Sequence, residues 1–429
     1  MSRVAVVVIH GMGNQFPMDT LRGLVDAVKP DGSELFSSPN RVTESTETRR
    51  LSFSTSPYDF FEYYWAHYSN DPGIGKIITW VLKLLYMRKP STRLKWMIWL
   101  IRLFVVTLIA AIGIGVCIAY PYLLSLVTVL KAAFWGTILL VVGRFLINML
   151  SNTILGEITS SVGDVLNYTV PSPDNIGCRE KIRKNGIELL TKLHAAKDSR
   201  GNPAYYKIVV IGHSLGSVVA YDILASAFAQ HHRSYNNVPG QPIVQPALDT
   251  LHAQTGSVDH TNGAYQQLQG NLFKEYNSLG NDWRVSNFIT VGSPLTHASM
   301  LLRESSKDFT RGQMQREFPV SPPVEDDGDK HFAFEASFKN TQAAWVKIRV
   351  LHHAALFAET QWTNIFYEND WIGGAVAPVF GAGVLDVPVK MKSKLFGWVP
   401  LTSHTKYWSR KERGSLSHLL EILNKIHRL

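Results

Sequence analysis

Residues 206–221 read YKIVVIGHSLGSVVAY. Lys207 to Ile211 is an apolar, β-branched run, the pattern of a buried strand. It leads straight into Gly212-His213-Ser214-Leu215-Gly216, after which Ser217 to Phe228 is apolar and compatible with a helix. Strand, sharp turn with serine at its apex, then helix is the setting in which GxSxG forms a nucleophile elbow. Side chains at 212 and 216 would collide with the neighbouring strand and helix, so a strained turn of this kind needs glycine there. The expected pose presents the Ser214 hydroxyl and aims the N-terminus of the next helix at the reacting centre. The competing reading is a tight turn without chemistry.

Upstream, Val4 to Ile9 has the pattern of a second buried strand, ending at His10-Gly11-Met12-Gly13-Asn14. A GxG after a strand suggests a dinucleotide site, but Phe16 occupies the place of the third glycine and Pro17 follows. An oxyanion loop fits better. Its small residues let a backbone N–H, that of Met12, face a developing negative charge, with the N–H of Leu215 as the second donor. The alternative is a glycine-rich turn with no role. His10 is then structural, its imidazole bonded to nearby loop groups.

A serine hydroxyl needs a base, and the base needs an orienting acid. The expected chain order is serine, acid, histidine. Trp362 to Tyr367 (WTNIFY) reads as a strand running into Glu368-Asn369-Asp370, which places Asp370 on the turn beyond a strand end. Asp386 is the rival, but it lies inside the strand-like VLDVPV of residues 384–389. For the base, His418 and His427 fall in an amphipathic helix over about 415–429, whereas His404 lies in the loop LTSHTKYW. His213 is expected to point elsewhere on so sharp a turn. Ser293, after the strand at 285–291, is a rival nucleophile without the GxSxG turn.

Elsewhere the signals are structural. Residues 30–56 are polar and read as a surface loop; Phe60 to Tyr68 reads as an aromatic core strand, with His67 in packing; residues 175–197 read as a helix. Residues 230–270 read as a long polar excursion, part of a lid, with solvated histidines at 231, 232, 252 and 260 that lack metal-ligand spacing. Glu325, Asp326, Asp327 and Asp329 lie in a proline-rich acidic loop without calcium-loop spacing. No metal and no organic cofactor is called for.

Composition sets the organisation. From Pro72 to Gly156 there is no Asp or Glu but there are nine Lys and Arg, equal to the whole formal net charge of +9. The basic excess therefore belongs to one segment and is not a nucleic-acid surface. Leu103 to Leu130 is a charge-free run of 28 residues. As a helix it would extend ~42 Å, against a hydrocarbon core of ~30 Å. Two membrane helices are expected, at about 97–119 and 123–143. A turn at Tyr120-Pro121-Tyr122 favours this register over one running to Leu130 and resuming at 132–156; the two leave Lys131 or Arg144 deep, respectively. A buried hairpin in a soluble protein is the alternative. The oxyanion loop precedes the segment and the nucleophile follows it, so the chain must cross the bilayer an even number of times. The basic cluster at 83–102 faces the cytoplasm by the positive-inside tendency, and the catalytic domain with it. Residues 77–87 are a candidate interfacial helix. Two cysteines, Cys117 and Cys178, imply no disulfide framework, and Met1-Ser2-Arg3 leads into the first strand without a secretory signal. The expected organisation is an N-terminal part at 1–72, a membrane-associated helical insertion at 73–156 and the remainder of the same domain at 157–429.

With these residues in place the chain resembles the α/β-hydrolase superfamily, and within it the lipase-like serine esterases that include the GPI inositol-deacylase family. The motifs that carry the resemblance are HGMGN at 10–14, GHSLG at 212–216, VGSPL at 291–295, WTNIFYEND ending at Asp370, and SHTKYW around His404. The resemblance covers most of the chain outside 72–156. The resemblance implies an α/β-hydrolase fold, a mostly parallel sheet flanked by helices, here with an inserted two-helix membrane hairpin. It implies a Ser214–His404–Asp370 triad with Met12 and Leu215 as oxyanion donors. The expected function is a membrane-anchored serine ester hydrolase acting on a lipid or lipidated acyl ester. A thioesterase, amidase or acyltransferase would use the same triad, and a catalytically weak scaffold is the reading from another class.

Overall fold

The computed structural model describes residues 3–12, 16–42, 45–68, scattered helical positions between 99 and 115, and residues 168–169, 173–240, 243–258, 263–303, 305–326, 328, 331–391, 403–409 and 414–428. The chain divides into two compact units, one made of Met1–Ser69 with Tyr168–Leu429 and the other of Asn70–Asn167.

The first unit is an α/β structure around an eight-stranded sheet. Its strands are β1 (Arg3–Ile9), β2 (Leu35–Pro39), β3 (Arg49–Phe53), β4 (Tyr58–Tyr63), β5 (Tyr205–His213), β6 (Val285–Val291), β9 (Gln361–Tyr367) and β10 (Leu385–Val389), in the order β10-β9-β6-β5-β1-β4-β3-β2. All pairings from β4 through β1, β5, β6 and β9 to β10 are parallel. The central strands β1, β4 and β6 are buried almost throughout, as strands covered on both faces must be. Residues 30–56, expected as a surface loop, instead hold the antiparallel edge pair β2 and β3. β2 buries little side-chain surface, so its polar sequence lacks a strand's apolar alternation; backbone pairing alone makes it a strand.

Helices cover both faces. Val4, Val6 and Val8 of β1 pack into one core with α1 (Asp19–Val28) and the C-terminal helix α7 (Gly414–Arg428), through Leu21, Leu24, Leu419 and Leu423. The intervening β1 residues point to the opposite face. There α3 (Leu215–His231) packs on β5 and β1, with α2 (Pro173–Ala195) against it. The polar stretch 230–270 is not one irregular excursion: it contains α4 (Pro246–Ala253) and the start of α5 (Ala264–Ser278). Its histidines at 231 and 252 have partners, and His260 lies outside the described residues. His231 ends α3 beside Asp282, and His252 meets Glu325 and stacks on His331. Between α6 (Ser306–Met314) and β9 a separate hairpin of β7 (Ala333–Lys339) and β8 (Trp345–Leu351) closes a small core with Val238.

The chain leaves and re-enters this unit at one place. Tyr68 is held by α2: the Cys178 thiol donates to its carbonyl at 2.9 Å, and Asn185 Nδ2 to its hydroxyl at 2.5 Å. Tyr168, on the return, packs 6.3 Å from the Trp65 ring and donates to Asp222 Oδ2 at 3.0 Å. The expected insertion of 73–156 thus falls within the second unit. Most of the expected spans at 97–119 and 123–143 lie outside the described residues. Among the described residues, no helix is long and apolar enough to cross a membrane. The described helical positions include Trp99, Leu103, Val106 and Ile109, all exposed.

One buried group has no evident use in the fold. Glu359, in the helical turn Leu356–Glu359, is fully buried, and among the described residues neither carboxyl oxygen has a hydrogen-bond partner. Burial raises its pKa well above the usual carboxylate range. The folded state therefore keeps a proton that the unfolded chain releases above about pH 4, and stability falls as pH rises beyond that point. Glu359→Met is expected to stabilise the protein by about 1–3 kcal/mol at pH 7–8. In urea denaturation series the gain should shrink toward pH 4.

Candidate active site

β1 and β5 are adjacent parallel strands whose following loops lead to helices on opposite faces of the sheet. The crevice beyond such carboxyl ends is where open α/β sheets place their sites. The register sets Ile9 opposite Gly212, so Met12 and Ser214 both lie just past the paired ends. Ser214 has φ 51° and ψ −131°, a conformation that side chains other than glycine rarely adopt. The sheet and its helices hold it there. The Ser214 N–H donates to Val291 O at 3.0 Å, and the Ser217 hydroxyl donates to Ser214 O at 2.6 Å. Gly216 is required by space: a Cβ there would stand 2.2 Å from His10 O and 2.3 Å from Ile9 O. A Cβ on Gly11 would meet Ser214 Cβ at 2.9 Å, so the loop after β1 passes directly against the serine.

Three side chains from separate parts of the chain meet here. His404 Nε2 lies 2.7 Å from Ser214 Oγ, and His404 Nδ1 lies 2.8 Å from Asp370 Oδ2. Asp370 sits on the turn after β9, and His404 in the turn Ser403–Thr405. With Asp370 ionised, Nδ1 carries the proton and donates it, which leaves Nε2 to accept from the serine hydroxyl. Ser214, Asp370 and His404 are each at least 94% buried, at 2%, 1% and 6% exposure. Burial opposes the charge on Asp370. His404, the Tyr407 hydroxyl and the Gly373 amide outweigh it and hold the carboxyl at about 2. Asp370 Oδ1 also accepts from Ile372 N at 2.9 Å.

The two expected oxyanion donors flank this serine. Leu215 opens α3, so its N–H belongs to the first helical turn, which has no intrahelical acceptor. Met12 is half-buried in the loop that touches Ser214 through Gly11. His10 is built into the same loop. Its Nδ1–H donates to Gly11 O at 2.8 Å, its Nε2 accepts from Trp65 N at 3.0 Å, and its ring stacks on the Trp65 indole. Burial lowers its pKa to about 4, so it stays neutral.

The rivals have other tasks. Asp386 on β10 accepts from Asn364 Nδ2 and from the Val376 and Ala377 amides at 2.6–3.0 Å, binding β9 and the start of a helical turn to β10. Ser293 pairs with Ser217 Oγ at 2.6 Å and accepts from Leu295 N at 3.2 Å, tying the elbow helix to the loop after β6. His418 lies on α7. His213, expected to point away, instead stacks on the His404 ring with centroids 5.6 Å apart and planes inclined by 23°. Burial, with the nearby His404 charge next, lowers its pKa to about 3, so it forms a neutral wall behind the imidazole.

Sequence reasoning missed that wall and also Tyr407, whose hydroxyl donates to Asp370 Oδ2 at 2.7 Å. The available signal was position alone, three residues beyond His404. Among the described residues, no group of three or more His, Cys, Asp or Glu is arranged to hold a metal ion. No family model, curated protein or solved structure matches this chain.

Proposed function

We propose that this protein is a membrane-anchored serine hydrolase on an α/β-hydrolase framework, cleaving carboxylic esters of lipids or lipidated molecules through an acyl-enzyme. The observation that carries the reading is the unbroken chain from Ser214 Oγ through His404 to Asp370, at 2.7 and 2.8 Å, on a serine held at positive φ beyond a central strand. In the reaction, His404 Nε2 takes the Ser214 proton as Oγ attacks the acyl carbon. The imidazolium that forms is stabilised by ionised Asp370, and the Met12 and Leu215 amides face the oxyanion. Nε2–H then passes its proton to the departing alkoxide. Water, deprotonated by the same nitrogen, attacks the acyl-enzyme and frees the acid.

Membrane anchoring is supported by the charge-free run of 28 residues and by the exposed Trp99, Leu103, Val106 and Ile109. It is also supported by the departure and return of the chain at one spot, as an even number of crossings requires. The basic flank at 83–102 favours a cytoplasmic catalytic unit. Anchoring to a bilayer favours acyl esters of lipids over small soluble esters.

The test uses full-length protein in detergent. A fluorophosphonate probe should label the wild type, and Ser214→Ala should lose labelling, with ester hydrolysis lower by about 10⁴–10⁶-fold. Labelling that survives in Ser214→Ala would refute the assignment. Lipid profiles of membranes exposed to active and Ser214→Ala protein would then name the acyl bond.

A further inference from the structure

We propose that Tyr407 is a positioning residue: by donating its hydroxyl to the Asp370 oxygen that also holds His404, it sets how strongly Asp370 draws a proton onto the imidazole. The inference rests on the serine-hydrolase reading of this site.

The direction of that hydroxyl is fixed. Tyr407 is fully buried, and its oxygen accepts from Tyr367 N at 3.0 Å while lying 2.7 Å from Asp370 Oδ2. With the amide filling the acceptor side, its one proton must go to the carboxylate. The ring is stacked on Tyr367 with centroids 4.6 Å apart. Ser415 Oγ donates to the Tyr407 carbonyl at 2.9 Å and lies 3.0 Å from the Tyr367 hydroxyl. β9, the His404 turn and α7 thus share one rigid joint, and the donor cannot swing away from Asp370.

The chemical consequence follows from sharing. Asp370 Oδ2 serves both Tyr407 and His404 Nδ1, while Oδ1 serves the Ile372 amide. A carboxylate oxygen shared between two donors accepts less strongly from each. Without the phenol, more negative charge faces Nδ1, the imidazolium is stabilised further and Nε2 releases its proton less readily. The other titratable groups around His404 do not interfere. His213 from β5 stacks on its ring, His10 follows β1 and is bonded to Gly11 and Trp65, and burial keeps both neutral. Tyr367 and Tyr407 are phenols within the same core.

The decisive comparison is wild type against Tyr407→Phe, as full chains in detergent, with the rate of fluorophosphonate labelling of Ser214 followed across pH. The acid limb should move to higher pH by about one unit, so the loss of rate is greatest at low pH and smallest on the alkaline plateau. A purely structural tyrosine would lower the rate evenly and leave the limb in place; that result, in folded protein, overturns the proposal. If Tyr407→Phe fails to fold, fluorotyrosine at position 407 decides. It keeps the ring and strengthens the donor, so the limb must move to lower pH, and an unmoved or raised limb overturns the proposal. Titration of the His404 ring by NMR separates the two readings. A shifted His404 in protein that the probe never labels would sink the hydrolase assignment and keep the Tyr407 role. An unshifted His404 beside a labelled Ser214 would sink the Tyr407 role alone.

Discussion

Asp370→Asn is expected to lower the turnover number about 10⁴-fold without unfolding the protein. The amide is isosteric with the carboxylate, so the turn after β9 can persist. Its NH₂ group, however, can face His404 Nδ1 only if that nitrogen gives up its proton, which moves the hydrogen to Nε2. The ring would then donate toward Ser214 Oγ, the wrong direction for a base. Asp370 also loses the charge that compensates the imidazolium. The carboxyl is held at about 2, against about 3.9 in an unfolded chain. Its contribution to stability is complete above the higher value and is lost as pH falls toward the lower. Over any ordinary assay range Asp370 is ionised, and the acid limb of the rate profile reports protonation of the imidazole. Steady-state kinetics with a chromogenic ester, beside circular dichroism of the same sample, provide the check. An Asn variant within tenfold of wild type would mean that His404 is oriented by something other than Asp370.

Gly216→Ala is expected to cost about 3 kcal/mol or more and to abolish labelling of Ser214 as well. The added methyl would stand within 2.3 Å of two backbone carbonyl oxygens, those of Ile9 and His10. Neither oxygen belongs to a side chain that can rotate away. Relief requires α3 to lift from β1, and that movement displaces the Leu215 amide and Met12 loop together. A melting temperature lower by on the order of 10 °C would accompany the loss of activity. A variant that melts like wild type would show that the elbow is looser than its geometry implies.

The parts of the site that were legible in the sequence have local signatures. The elbow joins a β-branched run to an apolar helix through GxSxG, and β4, β6 and β9 are rich in aromatic and β-branched residues. Asp370 was legible as the turn beyond a strand, His404 as the histidine in a loop with no helix to occupy it. What escaped notice depends on partners distant in the chain. β2 is polar because it is an edge, and only its ladder to β3 makes it a strand. α5 does repeat its buried positions at helical spacing, through Tyr265, Gln269, Leu272, Phe273 and Tyr276. Glutamine at the centre disguised that stripe. Gln269 is fully buried because its amide donates to the Phe357 carbonyl 88 residues away. The phenol of Tyr407 and the stacked ring of His213 belong to the same class, since their roles exist only once β5, β9 and the C-terminal turn converge.

The anchoring of Tyr68 and Tyr168 has a consequence for how freely this chain can change. The departing and returning ends are both held within the first unit, Tyr68 on α2 and Tyr168 beside Trp65 and Asp222. Closing a longer segment across fixed ends adds only about 0.6 kcal/mol for each doubling of its length. By that entropic term alone, the length of the intervening segment is only weakly limited. Under the proposed function, an insertion of this kind could change its length to suit different bilayers at small entropic cost.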